Sequence, residues 1–325
     1  MSNTSPRPRL LGDVGGTHAR FAWQASAEQP LQDIRTLRCA EHDSLAAALH
    51  SYIAQVAMPT PQEAAIGIAS PITSDSVRMT NHGWSFSIEA LRQSMQLERL
   101  KIVNDFTALA LSLPDIPAEH LRPIGGCAGA SNAACALIGP GTGLGVSGLV
   151  PDGRGGWLPL AGEGGHVSLA AQTDLEFRVI QQLAARYAGH VSAERVLSGP
   201  GLMALHQALA QVSGAHHDPL LDAAQITQGA LLGHDPLCLQ TLEMFCAFLG
   251  TVAGDLALTL GARGGVYLGG GILPHWRDWL ATSPFRARFE AKGRYRDYLA
   301  AIPVWLVDAP TSPALLGAAR ALSLR

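Results

Sequence analysis

Residues 9–24 read RLLGDVGGTHARFAWQ, and the fold is decided there. Arg9 to Asp13 is a short apolar strand, Gly15-Gly16 supplies a turn, and His18 to Gln24 is a second strand, so the chain opens on a tight hairpin. The pattern returns downstream: Ala134 to Ile138 is a strand, Gly139 to Gly143 a glycine-rich turn, and Leu144 to Val150 a strand. A strand, a turn containing Gly and Thr, and a second strand thus occur twice. We expect two related α/β halves.

Strand and helix patterns alternate between and beyond these hairpins, which argues an α/β class. Ser44 to Val56 and Phe106 to Leu113 read as helices, and Ala64 to Ala69, Val77 to Thr80 and Leu100 to Val103 as strands. Thr173-Asp174-Leu175-Glu176 has the spacing of a capping box, so a helix starts there. Asp235-Pro236 opens a long helix with Leu242, Phe245, Leu249, Val252 and Leu256 on one apolar face, ended by Gly261. Gly265 to Leu268 is a buried strand running into Gly269-Gly270-Gly271 and then a helix, and Pro313 to Leu322 is a final helix. No linker composition separates two domains, so the chain is expected to cross between them.

Five segments carry chemistry. In Gly12-Asp13-Val14-Gly15-Gly16-Thr17 the glycines let backbone N–H groups turn inward. With the Thr17 hydroxyl they make a concavity suited to phosphate oxygens, and Asp13 could hold Mg²⁺ directly or through water. Taken alone, the segment is equally a hairpin turn. Gly141-Thr142-Gly143-Leu144-Gly145 repeats the logic; it is no Walker loop, since no Lys-Ser/Thr follows, and no GxGxxG element. Asn104-Asp105 ends an apolar strand, where α/β proteins bind ligands, and Asp105 is a candidate general base. The same Asp suits an N-cap for the helix from Phe106. Glu163 and His166, set among Gly162, Gly164 and Gly165, join Glu194 as polar groups fitted to sugar hydroxyls. A metal site from these three is an alternative, although no helical spacing presents them together. Glycines 269–271 could admit an adenosine near a helix N-terminus, or serve close packing.

Bulk properties bound the rest. At 325 residues about two domains are expected. Hydrophobic residues at 47 % against 15 % charged give ample core. A net charge of −3 offers no reason to expect nucleic acid or an anionic membrane as partner. The five cysteines (Cys39, Cys127, Cys135, Cys238, Cys246) form no CxxC pair, which argues against a disulfide framework or zinc knuckle. The start, MSNTSPRPRLLG, has no signal-peptide core, no apolar run reaches about 18 residues, and a cytoplasmic setting is expected.

The order of these motifs resembles the bacterial glucokinase family, the ATP-dependent hexokinase-like group of the actin/Hsp70/sugar-kinase superfamily. The matching stretches are LLGDVGGTHARFA, MTNHGWSFS, IVNDFTALA, GPGTGLGV, LAGEGGHVSLA, GHVSAERVLSGPGL, GGVYLGGGI, FRARFEAKGR and SPALLGAA. The resemblance implies a two-domain actin-like ATPase (ribonuclease H-like) α/β fold with an interdomain active-site cleft. The small domain would hold residues 1–112 plus the C-terminal helix 308–325, and the large domain residues 113–307. It implies MgATP and glucose as substrates, with no nucleic acid and no membrane, and a homodimer. Gly12, Asp13, Val14, Gly15, Gly16 and Thr17 would bind the ATP phosphates, with Asp13 toward Mg²⁺. Asn104, Asp105, Gly143, Glu163, His166 and Glu194 would contact glucose, with Asp105 as base. Gly141 and Thr142 would cover phosphate, and Gly270 and Gly271 would lie by adenosine. The family's first turn is typically Gly-Gly-Thr-Asn; here His18 takes the place of the Asn. A repressor of related type would need a DNA-binding helix pair, and a strand beginning near residue 9 leaves no room for one.

Overall fold

The structure, a computed structural model, describes residues 7–80, 82–216 and 218–324. Asn81, within the MTNHGWSFS stretch, lies outside the described residues, as does Arg325 of the expected C-terminal helical segment. Two compact units form, Met1–Pro117 with Ala309–Arg325 and Ala118–Asp308.

The first unit begins with β1 (Arg9–Val14), β2 (His18–Gln24) and β3 (Gln32–Arg38). Then come α1 (Leu45–Gln55), β4 (Glu63–Ile68), β5 (Ser76–Arg78), β6 (Ser85–Ser87), α2 (Ile88–Ser94), β7 (Arg99–Asn104) and α3 (Asp105–Ser112). The second unit holds β8 (Leu121–Pro123), β9 (Cys135–Pro140), β10 (Leu144–Pro151) and β11 (Trp157–Ala161). These are followed by α4 (Asp174–Arg186), α5 (Gly199–Ser213), α6 (Ala223–Leu231), α7 (Pro236–Leu260), β12 (Gly265–Leu268), α8 (Arg277–Leu280), α9 (Phe285–Glu290), α10 (Arg296–Ala301) and β13 (Val304–Val307). The chain then returns to the first unit for α11 (Ala314–Ala321).

The first sheet runs β3-β2-β1-β4-β7 and the second β11-β10-β9-β12-β13-β8. In each, three consecutive strands form an antiparallel meander, and two later strands add parallel to the first of them. The two Gly-Thr turns occupy the same place in this repeated plan, so the duplication read from the sequence is present in the topology.

Strand β4 is buried at every residue, as expected of a parallel strand covered on both faces. Residues alternate across β1. Leu10 and Val14 join the cluster of Phe21, Leu49, Tyr52 and Ile66 beneath α1, while Asp13 faces the loop that precedes α11. In the second unit α7 is the central helix. Asp235 caps it by accepting from the amides of Leu237 (2.8 Å) and Cys238 (3.3 Å), Pro236 takes the first turn, and Gly261 ends it at φ 59°. By length and composition α7 could cross a membrane. Sixteen of its 25 residues are buried inside the unit, which makes it a core helix. Burial runs around it rather than along one face, and Leu256 of the expected face is only partly buried.

Two local expectations need correction. Thr173 does cap α4 by accepting from Glu176 N at 3.2 Å. The Glu176 carboxylate, however, accepts from Gln172 N (2.7 Å) and pairs in two-pronged fashion with Arg288 (2.6 and 3.0 Å). A guanidinium buried beside it competes successfully for the oxygens that a capping box would use. After Gly269–Gly271 the chain enters only a 3-10 turn, Leu273–Trp276, and the four-residue α8. No regular helix N-terminus therefore stands beside the glycines.

Candidate active site

In the first unit β1, β4 and β7 run parallel with Val14, Ile68 and Asn104 in register at their C-terminal ends. Ligands of open α/β sheets gather at that edge. The Gly15–Thr17 turn and the start of α3 both leave it. With only β4 intervening, their backbones stand about 10 Å apart at ordinary strand spacing.

The turn is held from behind. Gly15 N donates to His18 O at 3.0 Å, Cys39 N to Thr17 O at 2.9 Å, and Cys39 Sγ to Gly15 O at 3.4 Å. The expectation that the Gly15 amide points at a ligand is therefore corrected: it closes the hairpin. Among the described residues no acceptor engages the amides of Gly16 and Thr17, and the Thr17 side chain is exposed. Those two amides and one hydroxyl are the donors this turn can offer a phosphate. His18 contributes its carbonyl to the turn and begins β2 in ordinary strand geometry, so a His in place of Asn changes the side chain there and not the backbone path.

Asp13 is 14 % exposed, with Oδ2 3.6 Å from Arg20 Nη1. The two are register partners on β1 and β2. Burial raises its carboxyl above the ordinary 3.8; a hydrogen bond from Ser312 and the Arg20 charge pull the other way without cancelling it. Ser312 and Arg20 were not legible as site residues, since one arrives from the far end of the chain and the other reads as an exposed strand arginine.

The start of α3 resolves the two readings of Asp105. The N-cap is Asn104, whose Oδ1 accepts from the amides of Phe106 (2.9 Å) and Thr107 (3.2 Å). Asp105 is the first helical residue, half-buried, with Oδ1 accepting from Phe106 N at 2.8 Å. Its carboxylate therefore sits at the positive end of α3 without serving as the cap.

The second unit brings together Gly143, Leu144, Glu163–His166 and Glu194. A 3-10 turn, Gly164–His166, follows Glu163, and another, Ala193–Arg195, carries Glu194. The two turns lie side by side, tied by the Ser168–Ser192 bridge and by Ala193 N donating to Val167 O at 2.8 Å. Glu163 and His166 are exposed and Glu194 is half-buried. Glu194 Oε2 accepts from Leu144 N at 2.9 Å, directly after the Gly141–Gly143 turn. Ser198 Oγ donates to Glu194 O at 2.8 Å and caps α5. Gly199 N donates to Gly141 O at 2.9 Å. The Leu144 amide was the partner that sequence reasoning missed. The turn after β12 also meets the end of β9 backbone to backbone, since Gly269 N donates to Ile138 O at 2.9 Å, and a Cβ on Gly270 (φ 82°) would overlap the Pro140 carbonyl. Among the described residues no group of three His, Cys, Asp or Glu side chains converges as metal ligands. The five cysteines are free.

A Cβ at Gly143 would fall 2.5 Å from Glu194 Oε2, the mobile end of a side chain. Gly143→Ala is therefore expected to fold normally but to push Glu194 off the Leu144 amide. On the resemblance, which makes Glu194 a glucose contact, the KM for glucose should then rise about tenfold, the cost of one charge-assisted hydrogen bond. Steady-state kinetics with a parallel thermal melt check both halves.

A sequence model of the Glucokinase family matches residues 10–324. The chain belongs to the glucokinase family. A glucokinase from Aromatoleum aromaticum is 56 % identical over 317 residues, covering 97 % of this chain and 94 % of the relative. The crystal structure of a glucokinase from an Antarctic psychrotroph superposes with a TM-score of 0.87 at 38 % identity, covering 98 % of this chain and 99 % of that one. A ROK family glucokinase from Streptomyces griseus, solved in complex with glucose and AMPPNP, has the same fold at 18 % identity (TM-score 0.63, 96 % and 98 % covered). The fold of this glucokinase-family chain is thus the two-domain α/β fold of actin-like ATPases that the motif order implied.

Proposed function

We propose that the chain transfers the γ-phosphoryl of ATP to the 6-hydroxyl of glucose, giving glucose 6-phosphate and ADP. The observation that carries this is the register of the first sheet, which sets Asp105 two strands from the Gly16–Thr17 donors on one edge. Family membership and the glucokinases named above supply the substrate class. Asn104, Glu163, His166, Glu194 and Gly143 hold the sugar. The Gly16 and Thr17 amides and the Thr17 hydroxyl, with Asp13 beside them and with Gly141 and Thr142, hold the phosphates, and Gly270 and Gly271 adjoin adenosine.

In the step proposed, Asp105 takes the proton from O6 as that oxygen bonds to the γ-phosphorus and the bond to the β,γ-bridging oxygen breaks. ADP carries away the bridging electron pair, and Asp105 later returns its proton to water.

Asp13 fits a divalent cation of the magnesium type: it is a hard oxygen donor beside the phosphate turn, and among the described residues no three-ligand protein cage competes. When bound, Mg²⁺ would offset the charge of the phosphate oxygens. A cytoplasmic homodimer completes the reading, tested by light scattering of the purified protein.

Two measurements bear on this. A coupled assay across hexoses and donors, polyphosphate included, should show the highest kcat/KM with glucose and ATP; preference for another pair would displace the substrate assignment. The second uses Asp13. Its folded-state pKa is raised, so between its unfolded value near 3.8 and the raised value the folded state holds more protons, and stability falls as pH rises through that window. Asp13→Asn removes this penalty. It should melt higher than wild type at pH 7.5, by a margin that shrinks as pH drops toward 4, while the KM for MgATP rises. Equal melting at all pH values would contradict the burial argument.

A further inference from the structure

Strand β4 ends at Ile68, and the chain turns at Ser70-Pro71. Ser70 is 2 % exposed. Its Oγ donates to Ala69 O (2.7 Å), lies 3.2 Å from Thr80 Oγ1, and accepts from Thr80 N (2.8 Å). One small hydroxyl thus pins the far end of the 70–80 loop onto the sheet edge. The carbonyl of the same residue accepts from Asn104 Nδ2 at 3.4 Å.

The other end of the Asn104 carboxamide is already committed to the amides of Phe106 and Thr107. Its oxygen therefore faces the helix and its nitrogen faces Ser70. A carboxamide nitrogen carries two hydrogens, so one goes to Ser70 O and the second projects as a donor. We propose that Ser70 is a positioning residue for the phosphoryl acceptor: tied down by Thr80, its carbonyl fixes Asn104 as a hydrogen-bond donor, and the sugar hydroxyl met there must be an acceptor. The inference rests on the glucose site proposed above. Ser70 itself touches no substrate.

Ser70→Ala keeps the carbonyl but leaves the Thr80 amide and hydroxyl without their buried partner. The KM for glucose is expected to rise about tenfold, with kcat and the KM for ATP within about twofold of wild type. Asn104→Ser retains an N-cap oxygen and loses the NH₂ donor, and should raise the KM for glucose at least as much. In the double variant the Ser70→Ala effect should vanish, because the group it positions is gone. A merely structural serine would lower the melting temperature and leave the KM for glucose unmoved, or its effect would multiply with that of Asn104→Ser; either result overturns the proposal. If Ser70→Ala does not fold, exposed Thr80→Val takes its place in the same cycle, with about a threefold rise expected and an unchanged KM overturning it. No effect of Asn104→Ser by itself would remove the glucose-site assignment and this inference together. An effect of Asn104→Ser without one of Ser70→Ala or Thr80→Val would remove the inference alone.

Discussion

Asp105→Asn is expected to lower kcat by about 10²- to 10⁴-fold, the usual contribution of a positioned general base. The substitution is nearly isosteric. The Asn oxygen can still accept from Phe106 N, as Asp105 Oδ1 does at 2.8 Å. The helix keeps its cap, because that task falls to Asn104. Folding and glucose affinity should therefore hold within a few-fold while turnover collapses, and a structural role cannot produce that split. Binding calorimetry with glucose alongside steady-state kinetics makes the comparison. Near-normal turnover would take the proton-accepting role away from Asp105.

Gly317→Ala is expected to be the most destabilising single methyl added to the first unit. Gly317 is buried on α11 where that helix crosses α3. A Cβ there would overlap the Ala108 carbonyl oxygen, come 2.5 Å from its carbon and 3.1 Å from Ser112 N. These are backbone atoms of a packed helix, so the two helices must separate. Overpacking of this kind costs about 3 kcal/mol or more. Since α3 begins at Asp105, the strain also reaches the base, and kcat of any folded protein should fall. A guanidinium unfolding midpoint unchanged from wild type would contradict the helix contact described here.

The hairpins were legible because they are local. Gly15-Gly16 and Gly141 to Gly143 sit between short apolar runs, and such signals need no knowledge of distant residues. The start of α1 at Ser44 and the capped start of α7 at Asp235 were legible for the same reason. What joins the pieces was not. The parallel pairing of β1, β4 and β7 brings residues 14, 68 and 104 to one edge, and only the folded sheet fixes that register. Glu176 obeyed the local rule for its amide and broke it for its carboxylate, because Arg288, 112 residues later, took the oxygens. The candidate site divides likewise. Asp105 and the glycine turns stood out as polar or small residues at strand ends, and Glu194 as a polar group fitted to sugar hydroxyls. The partners of Glu194, Asp13 and Asn104, which are Leu144, Ser312 and Ser70, act through a backbone amide, a small hydroxyl and a backbone carbonyl, and nothing in their sequence neighbourhoods distinguishes them.

The most direct test combines the purified protein, MgATP and glucose labelled with ¹³C at C6, followed by ¹³C and ³¹P NMR. The account predicts a single phosphorylated sugar with the label coupled to phosphorus through O6, formed in step with ADP and only when glucose is present. ADP and inorganic phosphate appearing without sugar phosphate, or phosphorus attached at another carbon, would contradict it.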